Sequence, residues 1–352
     1  MFVSNLHIKS RFQIILFLVL ITAFLPIITS AQTKEVVAKK GDGIYSLLKR
    51  YGYSVTETME DFIALNKENL GKNNTLLAGV KYKLPDGETA VNETTAGKTE
   101  KPAEGTGKTV RYEIFGKEKA DVPIESNTLN GAIYYLVAGH GGPDPGAVGK
   151  YNGHTVCEDE YAYDVTLRLA RNLIMDGATV YIITRDPNDG IREENYLKVD
   201  HDEYCYPKQT IPLNQTKRLR QRSDAVNALY KKNRGAFQRM IAIHVDSRSQ
   251  GENIDVFFYH DKRSDTGKKA ATILKDTFQK KYQEHQPGRG YGGTVSDRGL
   301  YVVRNTWPVA VYIELGNMNH ERDIKRLIIP TNRQAVANWL AEGLIQDFKT
   351  NK

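Results

Sequence analysis

Apolar and polar positions fall into two patterned stretches separated by one with no pattern. Beyond residue 130, apolar runs at 133–138, 178–184, 240–244, 254–259 and 309–315 have the length and β-branched and aromatic content of buried strands. Between them the apolar residues recur at helical spacing. One helix is predicted from about Glu160 to Met175, with Ala162, Val165, Leu169, Ala170 and Leu173 as its buried stripe. Others are predicted over 219–231, 266–282 and 332–348. Alternating strands and helices predict an α/β domain over 130–350, with a mostly parallel twisted sheet covered by helices on both faces.

A smaller unit precedes it, over 35–86. Val36 and Val37 open a strand, Gly41-Asp42-Gly43 makes a turn, and Ile44, Leu47, Leu48 and Tyr51 share one helical face. A second helix over 57–66 carries Met59, Phe62, Ile63 and Leu65, and 80–85 alternates like a half-buried closing strand. The unit is therefore βααβ. Residues 87–109, rich in Thr, Gly, Lys and Glu, offer too little to bury and read as a flexible linker. Tyr112, Ile114, Phe115, Val122 and Ile124 in 110–129 suit an arm packed on the next domain.

The first stretch, 1–31, is a targeting signal by its pattern. Lys9 and Arg11 precede an apolar run over 14–28 that ends at Thr29-Ser30-Ala31, the layout of a secretory signal peptide. The run is short for a spanning helix, which needs about twenty residues. Export to the periplasm, cell envelope or medium is expected, with no transmembrane segment after cleavage. With 352 residues, 40% hydrophobic and 26% charged, the whole chain has the composition of an ordinary globular protein. Its net charge of +7 is not gathered into a basic, aromatic-laced surface, so nucleic acid is not an expected partner. Two cysteines, Cys157 and Cys205, in an exported chain predict a disulfide, with two unrelated thiols as the alternative.

The candidate chemistry lies at strand ends. The first buried run breaks into Gly139-His140-Gly141-Gly142-Pro143-Asp144-Pro145-Gly146, which presents a histidine where open α/β sheets place their active sites. His244 ends another strand, and Glu158 and its rival Glu160 open a helix. Two neutral imidazoles and a carboxylate are a ligand set of catalytic zinc sites, leaving a fourth position to a water whose pKa falls towards about 7. Glu314, inside the apolar VAVYIELG, needs a cation, a proton or a catalytic task. Beside a metal it suits a general base, and the alternative is a buried ion pair to Arg304.

These residues carry two resemblances. Gly139 to Ala147, Glu158 before Leu167-Arg168-Leu169, Ile243-His244, and Val311 to Gly316 with Asn319 resemble, in order, the motifs of zinc-dependent N-acetylmuramoyl-L-alanine amidases. The resemblance implies one Zn²⁺ on His140, Glu158 and His244, and Glu314 as catalytic glutamate. It also implies peptidoglycan as substrate, cut between N-acetylmuramic acid and the L-alanine of the stem peptide. A regulatory envelope protein is a candidate second partner. The family usually has asparagine where Asp246 stands, which leaves Asp246, with Arg304, as candidate substrate contacts. Residues 186–213 form an insertion over the family minimum. The 35–86 unit resembles a LysM domain through Gly41-Asp42 with Ile44-x-x-Leu47-Leu48, Ala64-Leu65-Asn66 and the Ala78-Gly79-Val80 to Leu84-Pro85 end. That resemblance implies glycan contacts at Gly41, Asp42, Gly43, Ile44 and Asn66. A zinc carboxypeptidase and a non-catalytic LysM wall-binding protein are the competing readings.

Overall fold

A computed structural model describes residues 34–39, 42–51, 53, 55–71, 74–85, 107–247, 251 and 253–352. The expected signal peptide, most of the expected linker and Gly41 lie outside the described residues. The chain divides into two units, residues 1–95 and 96–352.

In the first unit, β1 (Glu35–Val37) leads through α1 (Ile44–Arg50) and α2 (Val55–Leu65) to β2 (Lys81–Lys83). The two strands pair antiparallel, with Val36 opposite Tyr82. Val36, Ile44, Leu47, Leu48, Phe62, Tyr82 and Leu84 form the core. Asn66 is buried, and its side chain is spent on backbone: Nδ2 donates to Phe62 O and Lys83 O at 2.8 Å each, and Oδ1 accepts from Lys83 N at 2.7 Å. Ile44 is likewise a core residue. Both side chains therefore serve the packing of this unit. Asp42 accepts from Lys39 N at 2.7 Å and pairs with Arg50, locking the turn before α1, while Gly43 is exposed.

The second unit opens with the short antiparallel strands β3 (Thr109–Arg111) and β4 (Asp121–Pro123). Phe115, Val122 and Leu129 from this segment enter the same core as the sheet, so the arm is part of the domain. Then follow β5 (Ala132–Ala138), the hairpin β6 (Val148–Tyr151) and β7 (His154–Cys157), α3 (Glu158–Met175) and β8 (Thr179–Ile182). A small three-stranded sheet, β9 (Thr184–Arg185), β10 (Tyr204–Cys205) and β11 (Gln209–Thr210), organises the insertion. The remainder runs α4 (Gln215–Lys232), β12 (Phe237–Asp246), β13 (Phe257–His260), α5 (Asp265–His285), β14 (Thr294–Asp297), α6 (Tyr301–Asn305), β15 (Val309–Asn317), α7 (Glu321–Ile328) and α8 (Pro330–Asn351).

The central sheet has the order β14-β13-β15-β12-β5-β8. Strands β8, β5, β12 and β15 are parallel, β13 runs antiparallel to β15, and β14 is parallel to β13. Alternate residues of one strand serve opposite faces. Tyr134, Leu136, Ile241 and Ile243 pack with residues of α3, α5 and α8, whereas Tyr135, Val137, Met240 and Ala242 pack with residues of α4 and α6. This is the expected α/β architecture, with helices on both faces of a mostly parallel sheet.

One buried polar knot ties the insertion to the body. Asp164 of α3, fully buried, accepts from Arg168 Nε at 2.8 Å, Arg333 Nε at 2.6 Å and Arg192 N at 2.8 Å. Arg333 also donates to the carbonyls of Leu327, Ile328, Arg192 and Glu194. Asp164→Ala leaves two buried guanidiniums without their carboxylate and is expected to cost about 3–5 kcal/mol, read as a lower denaturation midpoint in urea.

Candidate metal centre

The C-terminal ends of β5, β12 and β15 and the N-terminal end of α3 meet at one edge of the sheet. His140 sits just past β5 with φ of 62°, a left-handed conformation that costs a non-glycine residue about 1–2 kcal/mol. Two glycines make room for this turn. A Cβ on Gly139 would lie 2.3 Å from His244 Cε1, and one on Gly146 would lie 2.7 Å from both Glu158 Oε2 and His140 Cδ2. The glycine-rich turn therefore exists because the imidazoles and the carboxylate press against its backbone.

Glu158, the first residue of α3 and 4% exposed, stands between the two histidines. Its Oε1 lies 2.9 Å from His244 Nδ1 and its Oε2 lies 3.3 Å from His140 Nε2. The backbone N–H groups of Val245 and Ala147 donate to the same two oxygens at 2.9 Å each. One donor atom from each of His140, Glu158 and His244 lies within 4.8 Å of the others. A tetrahedral ion with bonds of about 2.0–2.1 Å holds its donors about 3.3 Å apart, so the donor set and its spacing fit one zinc-sized cation.

Without a metal, burial and the neighbouring carboxylates act on the two imidazoles in opposite directions. Burial opposes charge on His140, yet the hydrogen bonds it donates to the Asp144 and Glu158 carboxylates hold it protonated up to about 10 in the metal-free site. Burial would raise Glu158, but the two imidazoles hold its carboxyl well below the usual range. Burial pushes His244 down, towards the neutral form that a metal ligand needs. Glu314, 3% exposed, lies in register beside His244 across the parallel β12–β15 pairing. A break in register follows at once, between His244 and Asp246, and it sets Asp246 beside Asn317.

Sequence reading passed over three supporting residues. Asp144 Oδ2 lies 3.0 Å from His140 Nδ1, fixing the ring so that Nε2 faces Glu158. Arg218 Nη2 holds the same Asp144 oxygen at 2.5 Å. Tyr312 stacks on His244 with ring centroids 4.2 Å apart. Asp144 was legible in the motif as a carboxylate four residues after a histidine, and Tyr312 lies within the Val311 to Gly316 motif; Arg218 carried no local signal.

Two expectations fail. Arg304 lies on α6, before the N-terminal end of β15 and so at the opposite end of that strand from Glu314; its carbonyl accepts from Arg263 Nη2 at 3.3 Å. It is corrected from substrate contact, and it is no ion-pair partner for Glu314. Cys157 and Cys205 are free buried thiols, so the disulfide is also corrected. Cys205 packs with the residues on the α4 side of the sheet, whereas Cys157 precedes α3 on the other side. Burial pushes the Cys157 thiol up to about 11, which disfavours a thiolate ligand beside Glu158.

Beside the centre, Glu203 of the insertion reaches the glycine turn, its Oε2 accepting from Gly142 N at 2.6 Å. Burial, with Glu160 and Asp186 nearby, pushes Glu203 up to about 7. A raised carboxyl pKa means that the native state holds the proton between the ordinary value of 4.5 and about 7, so this contribution to stability falls as pH rises through that window. In chelator-treated protein the melting temperature is expected to drop between pH 5 and 7, and Glu203→Gln to flatten that drop.

An α/β sheet that brings two imidazoles and a carboxylate together at one strand edge defines a candidate metal centre of hydrolase type. The profile of the N-acetylmuramoyl-L-alanine amidase family (Amidase_3) matches residues 135–346, which take in every one of these site residues, and the chain belongs to that family. It is a peptidoglycan amidase of the N-acetylmuramoyl-L-alanine class.

Among its relatives is the germination-specific N-acetylmuramoyl-L-alanine amidase of Bacillus subtilis, 25% identical over 62% of this chain and 81% of the relative. Another is an uncharacterized cell wall amidase of Bacillus anthracis, 24% identical over 68% of this chain and 40% of the relative. Among solved structures, the CwlD amidase of Clostridioides difficile, in complex with the GerS lipoprotein, has a TM-score of 0.46 at 19% identity, covering 62% of this chain and 99% of that one. No described helix is long and apolar enough to cross a membrane.

Proposed function

We propose that the chain is a zinc enzyme that hydrolyses the amide between the lactyl carbonyl of N-acetylmuramic acid and the L-alanine of the stem peptide. The carrying observation is the convergence of His140, Glu158 and His244 with donor atoms within 4.8 Å of one another, around a carboxylate that bridges both rings. When bound, zinc supplies a Lewis acid that polarises the amide carbonyl and acidifies water.

The chain's own residues do the remainder. Glu158 supplies negative charge and aligns both imidazoles, and Asp144 fixes the ring orientation of His140. Glu314, beside His244 at the end of β15, takes a proton from the attacking water and passes it to the leaving amine. Asp246, buried at the same strand end, is retained as a substrate contact. The 35–86 unit serves in this reading as a LysM-type glycan-binding module, with Gly41, Asp42 and Gly43 as its contacts. Residues 1–31 direct export, which places the enzyme where its substrate lies, and a regulatory envelope protein fits the same compartment.

Digestion of purified peptidoglycan followed by mass spectrometry tests the proposal. Free stem peptides with an L-alanine N-terminus are expected; a chelator should abolish them and added zinc restore them. Release of terminal D-alanine alone would make the chain a carboxypeptidase, and an undegraded wall would leave it a binding protein.

A further inference from the structure

Outside the His140–Glu158–His244 centre, carboxylates gather between the first turn of α3 and the insertion. Oxygens of Asp159, Glu160 and Glu203 lie within 4.8 Å of one another, and Glu203 forms a second such trio with Asp186 and Asp200. Several of these oxygens have partners. Glu160 Oε2 faces Arg192 at 2.8 Å and its Oε1 accepts from Asp200 N at 3.0 Å. Glu203 accepts from Gly142 N, and Asp186 Oδ1 from Asn188 N and Asp189 N.

Asp159 is different. It is 2% exposed, its Oδ1 accepts from Glu160 N at 3.0 Å, and among the described residues nothing donates to its Oδ2. Asp200 Oδ1 is buried in the same condition. Arg192 offsets only part of the charge, since it also pairs with Asp189. A buried carboxylate oxygen among other carboxylates, with no donor, calls for a cation.

We propose that Asp159, Glu160 and Glu203, joined by Asp186 and Asp200, form a second cation site for a hard divalent ion of the calcium type. The donors are all oxygen, the chemistry that calcium and magnesium prefer and that separates this site from the imidazole centre beside it. Calcium–oxygen bonds of about 2.3–2.6 Å let oxygens on opposite sides of one ion stand up to about 5 Å apart, which accommodates the spacing here. The ion would join the insertion to α3. Through Glu203 and Gly142 N it would also brace the turn that carries His140. Its role is therefore to position a ligand of the neighbouring centre without touching the reacting atoms.

The full chain, stripped of metal and reloaded with one equivalent of zinc, is titrated with calcium chloride, and in parallel with magnesium chloride, by calorimetry. Metal content is then measured by mass spectrometry after gel filtration. One calcium per chain above the zinc is expected, with a higher melting temperature and protection of residues 186–213 from protease. Asp159→Asn, which keeps size and shape, should weaken calcium binding by at least about tenfold and leave zinc content unchanged. His140→Ala should lose zinc and keep calcium, so the outcome does not depend on the zinc reading. No uptake at millimolar calcium or magnesium would overturn the proposal and assign a proton to Asp159 Oδ2. Uptake that survives both Asp159→Asn and Glu203→Gln would overturn it as well, and the asparagine variant decides if Glu203→Gln folds poorly.

Discussion

Glutamine in place of Glu314 is expected to lower kcat on peptidoglycan by about 10²–10⁴-fold while KM, bound metal and melting temperature stay near the wild-type values. The side chain is 3% exposed and lies in register beside His244, so an amide of the same size occupies the space without a cavity. What the amide lacks is a basic oxygen for a proton. The effect should therefore fall on the chemical step and not on binding or fold. Release of soluble fragments from dye-labelled peptidoglycan gives kcat, and metal analysis of the same preparation shows whether the centre is intact. Activity within about tenfold of wild type, with metal retained, would move proton transfer to another group, and Asp246 at the same edge would become the first candidate.

Local pattern carried the buried strands of the central sheet well, and His140 and His244 stood out as candidates because each sits where a buried run ends, a place visible without tertiary knowledge. The direction of β13 was not visible: Phe257–His260 has the composition of any buried strand, and only its pairing with β15 makes it antiparallel. The hairpin of β6 and β7 had a readable cue in Asn152-Gly153, whose positive φ values suit the tight turn. Charged residues misled most. Arg333 looks like a surface residue of an amphipathic helix, yet it is fully buried because Asp164 and the carbonyls of Arg192 and Glu194, all distant in sequence, meet it together with the nearby carbonyls of Leu327 and Ile328. Arg304 and the cysteine pair failed for the same reason. Sequence proximity to a motif says nothing about which end of a strand, or which face of a sheet, a side chain reaches.

Loss of Glu158 is expected to be the most damaging single change in the chain. Its two oxygens hold both imidazoles and accept two backbone N–H groups, from Ala147 and Val245, so Glu158→Ala strips four partners at once. Zinc retention after dialysis should fall from one per chain to near none, and amidase activity to background. The metal-free variant should also unfold earlier than metal-free wild type, because each buried donor left unmatched costs about 1–3 kcal/mol. Comparison with chelated wild type separates the two effects: zinc restores the wild type fully, whereas excess zinc leaves Glu158→Ala inactive. Glu160→Ala is the control. Glu160 pairs with Arg192 and the insertion, so its loss should leave zinc in place. Were zinc and activity to survive in Glu158→Ala and vanish in Glu160→Ala, the ligand assignment would pass two residues along the helix and the centre would have to be redrawn around it.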